Sequence, residues 1–193
     1  MSIKDAENEL FNQLKINNPT TTIVTDGIVD EKEYLGLKYK ILYVMKEVNS
    51  DQDDEWSLTE FLSNGARSQT WDNVARWTEG ILNLEKNLVW EYLSRDNDLR
   101  RDIYLKKIAS INLKKTAGKH TSVAKEIEIA AKNNKDIIKR QVDMYQPNII
   151  ICCGTSGLFV KDCLESDLTW QMTSRGIEYM ILDETIIVSF SHP

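Results

Sequence analysis

The chain has 193 residues, 41% of them hydrophobic, with 30 acids against 24 lysines and arginines and a formal charge of −6. That size suits one domain able to bury a core without disulfides or metals, and no stretch approaches the roughly 18 apolar residues of a membrane span. The start, Met1-Ser2-Ile3-Lys4-Asp5-Ala6-Glu7, lacks the apolar core of a signal peptide, so a cytoplasmic protein is expected.

In chain order, Ala6, Leu10, Phe11 and Leu14 recur at helical spacing and predict an amphipathic helix over 5–15, closed by Asn17-Asn18-Pro19. Residues 20–38 hold a turn at Asp26-Gly27 and read as a segment wrapping the domain edge. Ile41-Leu42-Tyr43-Val44-Met45 predicts a central strand at about 39–45, and the acidic stretch from Asn49 to Glu55 after it is too polar to bury itself. Trp71-Asp72-Asn73 opens a helix carried by Val74, Trp77, Ile81 and Leu82, its stripe continuing through Leu88 towards Tyr92.

A short helix near 97–105 leads to a second strand over 107–113 and a loop over 114–121. Ser122 is a candidate cap for one long helix through Val123, Ile127, Ala131, Ile138 and Val142, ended by Pro147. A third strand, Asn148 to Cys153, breaks at Gly154-Thr155-Ser156-Gly157 into a helix through Leu158, Phe159 and Leu164. The runs 178–182 and 185–190, parted by Asp183-Glu184, read as a hairpin whose second arm is the last central strand. Strands alternating with helices predict an α/β fold with helices on both faces of a mostly parallel sheet.

Cys152, Cys153 and Cys163 read as buried free thiols. Neighbours in a strand point to opposite faces, which argues against a bridge between the first two. With no CxxC spacing and two histidines, the chain offers neither a zinc set nor a four-cysteine iron–sulfur set, and no cofactor is expected.

Ligands of such sheets bind beyond the carboxyl ends of the strands. Four of these ends carry distinctive residues: Lys46-Glu47-Val48-Asn49, Asn112-Leu113-Lys114-Lys115, Gly154-Thr155-Ser156 and Ser191-His192-Pro193. Each has a plain reading beside a chemical one. Glu47 fits an exposed acid paired with Lys46, Asn112 a strand terminator, and His192 a solvated side chain. The acidic net charge argues against indiscriminate nucleic-acid binding, yet Arg100, Arg101, Lys106, Lys107, Lys114, Lys115 and Lys119 crowd one stretch, enough for a locally positive face.

The order of these ends, with Ile-Asn-Leu-Lys-Lys at 111–115, Gln-Pro-Asn-Ile-Ile-Ile-Cys-Cys-Gly at 146–154 and Ser-His-Pro at 191–193, resembles the uracil-DNA glycosylase superfamily over roughly residues 39–193. The resemblance implies a three-layer α/β/α sandwich around a central four-stranded, mostly parallel sheet. Residues 1–193 would form a single domain, with 1–38 an N-terminal helix and edge segment outside the resemblance. It also implies a monomeric, metal-free DNA glycosylase that excises uracil or another altered pyrimidine and has no membrane partner.

Breaking an N-glycosidic bond develops positive charge on the sugar and negative charge on the base, so an anion near C1′ and donors near the base oxygens are required. Glu47 aligns with the residue that activates water, and His192 with a donor to a base carbonyl. Asn112 would read the base edge, and Trp56, Phe61 and Trp71 would wall a pocket for a flipped-out base. Lys114, Lys115 and Lys119 would hold flanking phosphates, with Gly154 and Thr155 as further contacts against the plainer reading of a tight turn. Met45-Lys46-Glu47-Val48-Asn49 departs from the family's first motif in lacking its glycine and proline. Two alternatives therefore stand: a non-catalytic binder of a base, nucleotide or nucleic acid, and a hydrolase of free nucleosides or nucleotides.

Overall fold

The computed structural model describes residues 2–49, 56–118, 121–167 and 169–193; the acidic stretch over 50–55 and Lys119 lie outside the described residues. Along the chain run α1 (Ile3–Asn17), β1 (Val24–Thr25), β2 (Gly27–Ile28), α2 (Glu31–Leu35), β3 (Ile41–Met45), β4 (Val48–Asn49), β5 (Trp56–Ser57), α3 (Leu58–Ser63) and α4 (Ser68–Leu82). Then come α5 (Trp90–Leu93), α6 (Asn97–Tyr104), β6 (Ile108–Asn112), β7 (Ala117–Gly118), α7 (Ala124–Asn133), α8 (Lys135–Tyr145), β8 (Ile149–Cys153) and α9 (Ser156–Leu158), which continues as a π turn. Finally, β9 (Gln171–Met172), β10 (Glu178–Leu182) and β11 (Thr185–Phe190) complete the sheet.

The four apolar runs become adjacent strands: β6, β3, β8 and β11 lie side by side and parallel. They form the middle of a seven-stranded mixed sheet of order β2-β6-β3-β8-β11-β10-β9, so the fold is α/β, with antiparallel strands added at both edges. Edge strands of two residues are too short to carry a period in the sequence.

Alternation along the strands sorts the core into two layers. Leu42, Val44, Ile111, Ile150 and Cys152 meet Ile127 and Ala131 of α7 and Ile138 and Tyr145 of α8. Ile41, Tyr43, Met45, Ile151 and Cys153 meet Leu58 and Leu62 of α3 and Trp71, Val74 and Ala75 of α4. Each fully buried aliphatic side chain of this kind contributes about 1.5–3 kcal/mol. Cys152 and Cys153 fall in opposite layers, and all three thiols are free and buried.

Several helix boundaries differ from the periodicity: α4 begins at Ser68, ahead of Trp71, and Val123 rather than Ser122 stands at the N-cap of α7 with no side-chain cap bond. Ser2 caps α1 through a reciprocal capping box with Asp5, which starts the helix at Ile3. The long helix expected to run to Val142 breaks at Asn134, whose side-chain amide donates to the Leu113 carbonyl at 2.9 Å and ties the break to the end of β6. Helix α4 stops at Leu82 because Asn83 turns its amide back to the Glu79 carbonyl at 2.9 Å, so the stripe does not reach Tyr92. Among the described residues no helix is long and apolar enough to cross a membrane.

Candidate functional site

Parallel register brings the carboxyl ends of the central strands to one edge. Met45 pairs with Asn112, Val44 with Cys152, and Phe190 with Cys153. Beyond the sheet, β4 and β7 run parallel, Val48 beside Ala117 and Asn49 beside Gly118, and join the segments that leave β3 and β6.

Lys46 and Glu47, consecutive at the tip of β3, turn to opposite sides. The Glu47 carboxylate, only 5% exposed, accepts from Lys114 Nζ at 2.8 Å, and Lys114 also reaches Glu126 at 3.2 Å. Burial opposes the charge on Lys114, yet its hydrogen bonds to Glu47 and Glu126 prevail and raise its pKa. Glycine at 118 leaves the Glu47 carboxylate room to lie against the β7 backbone, and a Cβ there would make the end of that side chain shift.

Lys46 instead reaches over the tip of β8. A Cβ built on Gly154, a glycine at φ +67°, would lie 3.6 Å from Lys46 Cε, 3.7 Å from its Nζ and 3.9 Å from the backbone nitrogen of His192. Among the described residues the Lys46 ammonium has no hydrogen-bond or ion-pair partner. The His192 imidazole itself is exposed, its Nδ1 lying 3.1 Å from the Pro193 carbonyl oxygen.

Asn112 is 1% exposed, and its backbone N–H donates to Asp26 Oδ2 at 2.7 Å. Among the described residues its side-chain Nδ2 has no partner, and neither does the Ser110 hydroxyl two residues earlier on the same strand face. By alternation with Ile108, that face is the one on which Trp56, Phe61 and Trp71 gather. Trp56 and Phe61 are half-buried and in contact, with ring centroids 5.2 Å apart. Trp71 corrects the expectation of an open aromatic wall: it is 8% exposed and packs in the core with α3 and β3.

The expected phosphate contacts also need correction. Lys115 is sealed, donating to both carboxylate oxygens of Asp26 at 2.8 Å and to Gln141 Oε1 at 2.7 Å, so its three protons are all engaged. Burial pushes its pKa down, against the pull of Asp26. The buried Thr155 hydroxyl donates to the Val44 carbonyl at 2.8 Å and the Gly154 N–H to the Phe190 carbonyl at 2.8 Å, bonds that serve the sheet, while both residues also line a cavity at the β8 tip. Lys114 is held by two carboxylates rather than presented to solvent.

A cavity of about 500 Å³ lies at the β8 tip, lined by Glu128, Lys132, Ser156, Lys161 and Asp162 among others. A second, of about 330 Å³, lies beside α1 and α3 and includes Glu7, Asp26 and Glu60. Neither of these two cavities is lined by Glu47, Asn112 or His192. Among the described residues no cluster of three or more His, Cys, Asp or Glu side chains could hold a metal ion.

Two participants escaped the sequence reading. In the sequence Lys46 reads as a partner for Glu47, although alternation along a strand sends consecutive side chains apart. Gln141 belongs to the buried side of α8, and its spacing of three and four from Ile138 and Tyr145 would have placed it there. No protein-family model matches the chain, and no curated protein matches it.

Proposed function

We propose that the carboxyl edge of this sheet binds uracil or another altered pyrimidine of DNA and hydrolyses its N-glycosidic bond. The observation that carries the reading is the Asn112 amide, buried at the end of β6 with a donor that no described group accepts. An unanswered buried donor costs about 1–3 kcal/mol, and a pyrimidine carbonyl is an acceptor of the right kind to relieve it. Half-buried Trp56 and Phe61 on the same side offer ring faces for stacking. Glu47, fixed by Lys114 and by its seat on Gly118, supplies the anion for a positively charged sugar and takes a proton from the attacking water.

Incubation with single- and double-stranded oligonucleotides bearing uracil, mispaired or modified pyrimidines should leave alkali-labile abasic sites. Intact strands across the whole panel would remove the proposal.

A second reading, non-catalytic recognition of a base or nucleotide, is favoured by the engagement of the Glu47 carboxylate with Lys114. Tight retention of uracil-bearing DNA with no abasic product would decide for it.

A further inference from the structure

We infer that Lys46 is a catalytic residue of the excision proposed above, its ammonium meeting the negative charge that collects on the departing base. The inference rests on that reading of the edge and adds to it the group that answers the leaving base.

The two polar residues at the tip of β3 divide the edge between them. Glu47 is turned towards Lys114 and Gly118, beyond β6. Lys46 is turned the other way, over Gly154 and beside the backbone nitrogen of His192, at the ends of β8 and β11. Glycine at 154 places no side chain between the ammonium and the edge. Lys46 is half-buried, and among the described residues it has no counter-charge, whereas the neighbouring cations Lys114 and Lys115 are both engaged by acids. A partly desolvated cation without a partner is a ready seat for an anion.

The reaction makes one. As the C1′–N1 bond breaks, its electron pair goes to the base and the sugar is left positive. Water then adds to C1′, giving one proton to the Glu47 carboxylate, which passes it on to the base, so that DNA and water become abasic DNA and the free neutral base. Lys46, over Gly154 and clear of the Lys114–Glu47 pair, keeps its charge free for the base while Glu47 answers the sugar. A preorganised charge of this kind is worth about 10²–10³ in rate.

The test compares the wild type, Lys46→Met and Lys46→Arg in single-turnover excision of uracil and of 5-fluorouracil from the same oligonucleotide, with thermal unfolding as a check on folding. The fluorine withdraws electrons, so the second base carries negative charge more easily and needs the ammonium less. We expect Lys46→Met to slow uracil excision by about 100-fold. 5-Fluorouracil should be slowed markedly less, and Lys46→Arg should recover much of the rate on uracil. An equal loss on both bases, or no loss, in folded Lys46→Met while the wild type excises would overturn the role of Lys46 and leave the excision reading standing. A wild type that excises neither base would overturn both.

Discussion

Lys114 and Lys115 are neighbours in the chain, yet they belong to two regions built on different terms. Lys115 points into a sealed network behind β6, where Asp26 accepts from its ammonium, from the Asn112 N–H and from Gln141 Nε2, and Gln141 also donates to the Tyr145 hydroxyl. Lys114 stands at the strand tips, where Lys46 and the buried Asn112 amide have no partner among the described residues and His192 faces solvent. Behind the strand, nearly every polar group is answered from within the chain; at the edge, donors are left over. A satisfied buried network specifies structure, whereas leftover donors at strand tips await something from outside.

The contrast breaks first at Asp26. Asp26→Ala should cost about 3–5 kcal/mol in urea unfolding, because it strands the Lys115 charge and leaves the Asn112 N–H unanswered. A loss below about 1 kcal/mol would mean that water already reaches this network.

Glu47→Gln is the matching change at the edge and should have the opposite profile. Excision should fall by about 10²–10⁴, while folding stability falls by less than in Asp26→Ala, since the amide oxygen still accepts from Lys114 and Lys114 keeps Glu126. Near-normal excision by Glu47→Gln would show that the role is misassigned.

Gly118→Ala sharpens the same point without touching charge. Its methyl group would displace the Glu47 carboxylate, costing about 1–3 kcal/mol of stability. Excision should fall together with stability, and a stable variant with unchanged turnover would show that the seat of Glu47 on Gly118 has no bearing on chemistry.

The division between these regions also explains what the sequence could reveal. The four central strands were legible because continuous apolar runs are what strands buried on both faces require, and β3, β6 and β8 are buried almost throughout. The opposed directions of Cys152 and Cys153 followed from the period of two. The partners of Lys114 and Lys115 were not legible, because a charged residue after a strand looks the same whether it meets solvent, Glu47 or Asp26. That choice is made by residues 67 and 89 positions away in the chain, and by a turn at Asp26-Gly27 that offered no sign of burial. The break at Asn134 was hidden for the same reason, since its stabilising acceptor, the Leu113 carbonyl, belongs to another element.

The smallest effect concerns Glu7, at the rim of the sealed network. Burial raises its pKa above the ordinary 4.5, and neither the Lys4 ammonium nor the Ile28 N–H that its Oε1 accepts at 2.9 Å fully offsets that. A carboxyl with a raised folded pKa binds more protons folded than unfolded. Its contribution to stability is therefore fully present below 4.5 and is lost as pH climbs through the folded value. Glu7→Gln keeps the acceptor for Ile28 and removes the titration. The stability of the wild type minus that of Glu7→Gln, measured by urea unfolding at steps from pH 4 upward, should fall and then level off. Glu165, exposed and held at about 2 by hydrogen bonds from Lys135 and Lys139, has the opposite sign, its contribution being lost as pH falls, and salt should screen it. A Glu7 difference that rises with pH, as it would for Glu165, would mean that Lys4 and the Ile28 N–H outweigh burial, and a flat one that the carboxylate is hydrated and the sealed region open on the side of α1.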